Sequence, residues 1–135
     1  MILHRHDLSW EVRTPAKLNL CLEVLGRRED GYHEVETLMV PLRLHDTITI
    51  VTESPSAKRL GSIRLQVISP PTDSVSWSSL PLGHSNLVYR AVDALRQAAG
   101  ISAGVRIQLI KRIPLEAGLG GGSSDAAAAL VAANA

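Results

Sequence analysis

Along the first half of the chain, hydrophobic and polar positions alternate with a period of two, the spacing of extended strands whose successive side chains face opposite ways. Ser9 to Arg13 is a short alternating run that predicts an edge or first strand, with Trp10 as a packing residue. In Thr14 to Val24, Leu18, Leu20, Leu22 and Val24 alternate with Lys17, Asn19, Cys21 and Glu23, which predicts a strand with Cys21 as a small core residue. Gly26 to His33 reads as a polar connector with Asp30-Gly31 as its turn. A strand begins again near Glu34, with Val35, Leu38, Val40, Leu42 and Leu44 apolar. The alternation falters near Met39-Val40-Pro41, which predicts a bulge or kink. Asp46 to Thr52 is a β-branched strand and Ser62 to Ile68 its returning partner. The turn between them, Glu53 to Gly61, carries Lys58-Arg59 as solvated charges.

The second half changes period. A long Pro- and Ser-rich connection, Ser69 to Ser85, leads into an amphipathic helix from Asn86 to Gly100. Its inner face is predicted to be Leu87, Ala91, Ala94, Leu95 and Ala98, with Asn86 as N-cap and Gly100 as its end. Gly104 to Ile110 is again a strand, followed by Lys111-Arg112. Ala126 to Ala133 is a helix, since alanine loses no side-chain entropy there.

Between that strand and that helix lies Ile113-Pro114-Leu115-Glu116-Ala117-Gly118-Leu119-Gly120-Gly121-Gly122-Ser123-Ser124-Asp125. Four glycines in the five positions 118 to 122 let the backbone curl and approach a ligand without Cβ clashes. The unpaired N–H groups and the dipole of the following helix then favour an anion in the curl, and phosphate suits it. Spacing excludes the dinucleotide fingerprint. It also excludes the Walker loop, because Ser123-Ser124 follows Gly122 with no lysine between. A flexible Gly/Ser linker is the bland alternative, but this run is short and wedged between a strand and a helix. Lys111 and Arg112 flank the loop and suit the phosphate site and the solvent equally well; Asp125 reads as a first-turn acid favoured by the helix dipole.

Composition narrows the classes. The 135 residues suffice for one domain with a core, and 45% of them are hydrophobic with no stretch long enough to cross a bilayer. Met1 to Asp7 is too polar for a secretory signal, and the single cysteine cannot form an internal disulfide, which points to a reducing cytoplasm. Fourteen basic against thirteen acidic residues leave no excess of positive charge for nucleic acid. Phe is absent and the aromatics are only Trp10, Trp77, Tyr32 and Tyr89, so Tyr32-His33 in a polar turn stands out.

Pro114 to Ala127 resembles the phosphate loop of the GHMP kinases, the family of galactokinase and of homoserine and mevalonate kinases. Glu116 departs from that pattern, where a small residue is usual; its carboxylate must point away from nucleotide phosphates or weaken their binding. The resemblance implies an α+β fold like domain 2 of ribosomal protein S5, a mixed sheet with helices packed on it. It implies ATP and Mg²⁺ as cofactors, with ATP held by Pro114, Leu115, Glu116, Ala117, Gly118, Leu119, Gly120, Gly121 and Gly122. Ser123 or Ser124 would donate to a phosphate oxygen or reach Mg²⁺. Asn86, opening its helix as Asn-Leu-Val, would lie near the adenine.

By spacing alone Lys17 is a solvated edge lysine. Pro15-Ala16-Lys17-Leu18-Asn19-Leu20, however, resembles the family's N-terminal motif, which places Lys17 as catalytic residue beside the acceptor hydroxyl, with Asn19 on the same face. Asp30-Gly31-Tyr32-His33 resembles the element with which one branch of the family holds a cytosine ring, so Tyr32 and His33 join Lys17 and Asn19 as expected substrate contacts. The implied activity is transfer of the γ-phosphoryl group of ATP to a 2-hydroxyl of a small cytidyl substrate in isoprenoid precursor synthesis, without nucleic acid or membrane as partner.

The resemblance covers residues 1–135 as an N-terminal domain, but only the first half of the family's length. The family's C-terminal domain, and the aspartate of a Gly-x-Asp-x-Pro box that serves as base, are expected to lie outside this chain. A fragment or an early-ended reading frame with impaired activity is therefore the expectation. The alternatives are a non-catalytic nucleotide-binding half-domain, another small-molecule kinase of the family, and an S5-like nucleic-acid module, which the near-neutral charge disfavours.

Overall fold

The computed structural model describes residues 1–53, 61–69 and 80–135. Most of the expected turn from Glu53 to Gly61 and of the connection from Ser69 to Ser85 lies outside them. The chain runs β1 (Ile2–His6), β2 (Ser9–Arg27), β3 (His33–Glu53), β4 (Ile63–Ile68), α1 (Leu87–Ala98), β5 (Gly104–Ile110) and α2 (Gly121–Ala133). One five-stranded sheet has the order β1-β2-β3-β5-β4. All its pairings are antiparallel except β4 with β5, which are parallel and joined by the crossover through α1. The architecture is α+β, with a mixed sheet and two helices packed on it.

Strand periodicity sets the core. β5 turns Val105, Ile107 and Leu109 inward, and β3 contributes Ile48 and Ile50 from the same face. From the helices come Val88 and Val92 of α1 and Ala128, Ala129 and Ala132 of α2. Trp10 packs against this cluster, as expected. The inner face of α1 differs from the expectation: Val88 and Val92 are buried while Leu87 is exposed, so the helix is rotated by about one residue, 100°. A strand at Ile2–His6 was not legible, because every one of its residues is exposed and shows no inside–outside pattern. It is held by pairing with β2, and Arg5 stacks 5.5 Å from the centre of the Trp10 ring. The turn into β2 is tight, with Asp7 at φ 36°, a conformation aspartate tolerates better than most residues.

The two runs read as separate strands before and after Thr14 are one 19-residue strand, and β3 is equally long at 21 residues. Beyond the sheet, β2 from Lys17 to Arg27 pairs with β3 from His33 to Pro41 as a two-stranded ribbon. Register shifts occur at Pro15/Lys17, Asn19/Cys21 and Val24/Gly26; the first two face the Met39–Pro41 region where an irregularity was expected. Most of the large apolar residues of the ribbon are exposed, Leu20 at 59% among them. Cys21 is exposed as well, which corrects its reading as a core residue, because the ribbon has left the layer that the helices cover.

This division of labour is measurable by urea unfolding. Ile48→Ala is expected to lower the unfolding free energy by about 2–5 kcal/mol, whereas Leu20→Ser should change it by less than about 0.5 kcal/mol. Comparable losses would mean that the ribbon is packed in the free chain.

Candidate functional site

The glycine loop leaves β5 and closes at the start of α2. Gly120 is the N-cap of that helix at φ 70° and offers no side chain, so the first amides of α2 lack a capping partner from that residue. Two glycines are sterically required here. A Cβ on Gly120 would lie 3.0 Å from Cγ of Lys17, on a backbone already in the left-handed region, and one on Gly121 would lie 2.9 Å from both Cγ2 of Ile113 and Nζ of Lys111. The loop borders a cleft of about 460 Å³ lined by Pro114 to Ser123 together with Leu80, Pro81, Leu87 and Lys111, a volume ordinary for a small-molecule site.

The N-terminal motif meets this loop. The Lys17 amide donates to the Leu119 carbonyl at 2.9 Å, tying β2 to the loop across the sequence. The Lys17 side chain runs over Gly120 and its Nζ donates to Oδ1 of Asn19 at 3.3 Å. The two serines part company. Ser124 turns inward, donating from Oγ to the Pro15 carbonyl at 2.9 Å and sharing a hydrogen bond with the Thr14 hydroxyl, whereas Ser123 is exposed on the cleft. Glu116 is exposed at the rim with φ 57°, an unusual conformation for a side chain of its kind.

Asn86 caps α1: its Oδ1 accepts from the Val88 amide at 2.8 Å and its Nδ2 donates to the Pro81 carbonyl at 2.8 Å. It borders a smaller cavity of about 150 Å³ beside the cleft, together with Leu87, Leu115 and Asp125. Tyr32 and His33 are not brought to the loop in this structure. They sit at the far end of the ribbon, where Arg27 pairs with His33, roughly 33 Å of strand contour from Lys17. Tyr32 is 75% exposed and its amide donates to Oδ1 of Asp30 at 3.1 Å in the hairpin turn.

Beneath the loop lies a cluster whose composition the sequence reading missed. Lys111 is 1% exposed, its Nζ bound to Oδ2 of Asp46 and, at 2.8 Å, to Oδ2 of Asp125. It is therefore not a solvent-facing lysine; Arg112, half-buried, donates to the Thr47 hydroxyl at 3.1 Å. Asp46 Oδ1 accepts the amides of Arg112 and Ile113, fixing the exit from β5. Asp125 is also not a first-turn acid. Helix α2 begins at Gly121, one turn earlier than the alanine run suggested, which carries Asp125 inward onto the stripe of Ala128, Ala129 and Ala132. Parity along the strands held the missed signal: Asp46 shares the inward side with Ile48 and Ile50, and Lys111 shares it with Leu109 and Ile107.

Burial, and then the neighbouring Asp46 carboxylate, raise the Asp125 carboxyl from 3.8 to about 7 against the opposing pull of Lys111. Its Oδ1 has no hydrogen-bond partner among the described residues. The folded state thus holds a proton that the unfolded chain releases. Below pH 3.8 both states are protonated and the contribution to stability is complete; it is lost as the pH rises towards about 7 and is constant above that. Compared with Asp125→Asn by denaturant titration at each pH, the natural chain is expected to lose stability between those values. A pH-independent difference would show that Asp125 is already ionised in the fold.

Among the described residues, no three His, Cys, Asp or Glu side chains are grouped to hold a metal ion, and no helix is long and apolar enough to cross a membrane. The family model for the GHMP kinases N terminal domain matches residues 86–135. A 4-diphosphocytidyl-2-C-methyl-D-erythritol kinase from Pelotomaculum thermopropionicum is 52% identical over 119 residues, which are 88% of this chain and 37% of that protein. The kinase of the same name from Deinococcus radiodurans is 43% identical over 131 residues, 97% of this chain and 37% of its own length. A crystal structure of 4-(cytidine 5'-diphospho)-2C-methyl-D-erythritol kinase superposes with a TM-score of 0.68 at 45% identity, covering 90% of this chain and 38% of that one. A homoserine kinase from Cytophaga hutchinsonii, at 18% identity and a TM-score of 0.66, shares the fold. The chain thus spans less than two fifths of the length of these relatives. Sequence likeness and fold converge on one family, the GHMP kinases.

Proposed function

We propose that residues 1–135 are the ATP-binding N-terminal domain of a kinase that phosphorylates the 2-hydroxyl of 4-diphosphocytidyl-2-C-methyl-D-erythritol, acting in the cytoplasm on the route to isoprenoid precursors. The observation that carries this reading is the glycine loop at an uncapped helix start with Lys17 laid across Gly120, in a chain similar throughout to kinases of that name. The loop and the first amides of α2 would cradle the phosphates of ATP, and phosphoryl transfer asks chiefly for such positioning and charge stabilisation. Lys17 would orient the acceptor hydroxyl and offset its developing negative charge.

Bound Mg²⁺ would supply charge neutralisation on the phosphate oxygens. The donor set suits an ion that arrives with the nucleotide, since no carboxylate cage is present among the described residues and the Ser123 hydroxyl lies free on the cleft. Of the two serines, Ser123 is the one we assign to the phosphate or metal; Ser124 braces the loop against β2. Asn86 would border the adenine while it caps α1, and Asn19 would hold the Lys17 ammonium towards the substrate. Tyr32 and His33 would grip the cytosine ring by stacking, which requires the ribbon tip to approach the cleft.

A second reading, a half-domain that binds nucleotide without turning over, draws support from the surroundings of Lys17. Its side-chain partner is Asn19, and the nearby buried carboxylates of Asp46 and Asp125 are both occupied by Lys111.

Calorimetric titration with Mg-ATP, with and without the cytidyl substrate, tests both readings. The 135-residue chain is expected to bind Mg-ATP but to release little ADP; efficient turnover would show that the chain already holds its base. Gly120→Ala should weaken Mg-ATP binding by at least about tenfold, from strain at φ 70° and the clash with Lys17. Glu116→Gly should strengthen it severalfold, more so at low salt, because a carboxylate and a strained φ leave the cleft rim together. Unchanged affinity in both variants would place the nucleotide elsewhere.

A further inference from the structure

The loop that would hold phosphate has little packing of its own: Pro114 and Glu116 to Gly118 are exposed. Its two ends, however, are anchored to one buried ammonium. At the entry, Asp46 of β3 accepts the backbone amides of Arg112 and Ile113 and binds Lys111 Nζ with its other oxygen. At the exit, Asp125 reaches back from α2 to the same Nζ at 2.8 Å, and the first residue of that helix sits so close that a Cβ on Gly121 would touch the ammonium. The Lys111 amide is itself held by the Ile68 carbonyl at 3.0 Å, so β4 joins the assembly.

From this geometry we infer that Lys111, Asp46 and Asp125 are positioning residues that set the phosphate loop, joining its entry and its exit through a single buried strut. The inference rests on the nucleotide-binding reading only for what the loop holds. The strut itself concerns how three elements are fixed: β3 by Asp46, the end of β5 by Lys111, and α2 by Asp125. A buried ammonium has strong reason to keep both partners, because losing either removes a hydrogen-bond acceptor from its N–H groups in a low-dielectric site. The link is directional too, since Asp125 is the only one of the three that lies beyond the loop in the sequence. Cutting at Asp125 frees the helix start and leaves the Lys111–Asp46 pair and its grip on the entry.

Asp125→Ala and Asp125→Asn in the full chain separate this role from general stabilisation. Alanine severs the strut, whereas asparagine keeps an oxygen that accepts from Lys111. Hydrogen exchange at the amides of Gly118 to Gly122 should be about tenfold faster in the alanine variant and return to within about threefold in the asparagine variant. Binding of inorganic tripolyphosphate with Mg²⁺, read by calorimetry, should weaken and recover in parallel. Val92→Ala, a core change in α1 beside Ile50 and Ala133 that touches none of the three charged groups, should lower the melting temperature without altering either readout. The inference is overturned if Asp125→Ala exchanges like the natural chain, or if Val92→Ala accelerates the loop amides as much. Failure of the natural chain to bind tripolyphosphate or ATP would sink the nucleotide reading instead, and the exchange comparison would still decide the strut.

Discussion

A lysine ammonium removed from water requires compensation, and Lys111 obtains it from two carboxylates that come from opposite sides of the glycine loop. Charge burial of this kind adds little net stability compared with an apolar core, but breaking it is costly. The arrangement therefore acts more as a specification than as an adhesive. It admits one register of β3 against β5, one exit from β5 and one placement of the α2 start. The sequence-distant contacts that complete the loop agree with that placement: the Lys17 amide on Leu119 and the Ser124 hydroxyl on Pro15. Two carboxylates around one ammonium also leave an excess of negative charge, which burial converts into a raised pKa at Asp125.

Around this centre the molecule divides into a packed layer and an open ribbon. Where helices cover the sheet, strand parity translates directly into burial, from Val12 and Ile48 to Leu109. Past Lys17 the same alternation continues with nothing over it, and Leu18, Leu20, Leu22 and Val24 are exposed together. Apolar surface of that extent calls for a covering element in a stable soluble assembly. The relatives are more than twice as long as this chain, and their remaining length is available for such cover. The ribbon also carries Tyr32 and His33 at its far end.

Much of this was legible from residue order alone. Strand periods, the β-branched run from Asp46, the Asn86 cap and the glycine loop between strand and helix are all local signals, set by sterics and by backbone hydrogen-bonding needs within a few residues. The Lys17 motif and the loop also identified the family, because both are short and specific. What failed were readings that depend on what lies opposite. Cys21 was expected in a core, but its strand had left the covered layer; the inner face of α1 was misjudged because Val88 and Val92, not Leu87, meet the sheet.

The sequence by itself revealed most of the elements, the glycine loop between strand and helix and the likeness to the family, since each rests on contacts between near neighbours or on a compact motif. Only the tertiary structure decided that Lys111, Asp46 and Asp125 meet, that Ser123 faces the cleft while Ser124 faces inward, and that Tyr32 and His33 stand away from Lys17. The physical reason is one of range. Parity can say that a charged residue points inward, but whether burial is tolerable depends on a partner 65 residues away for Lys111 and Asp46, and no local rule carries that information.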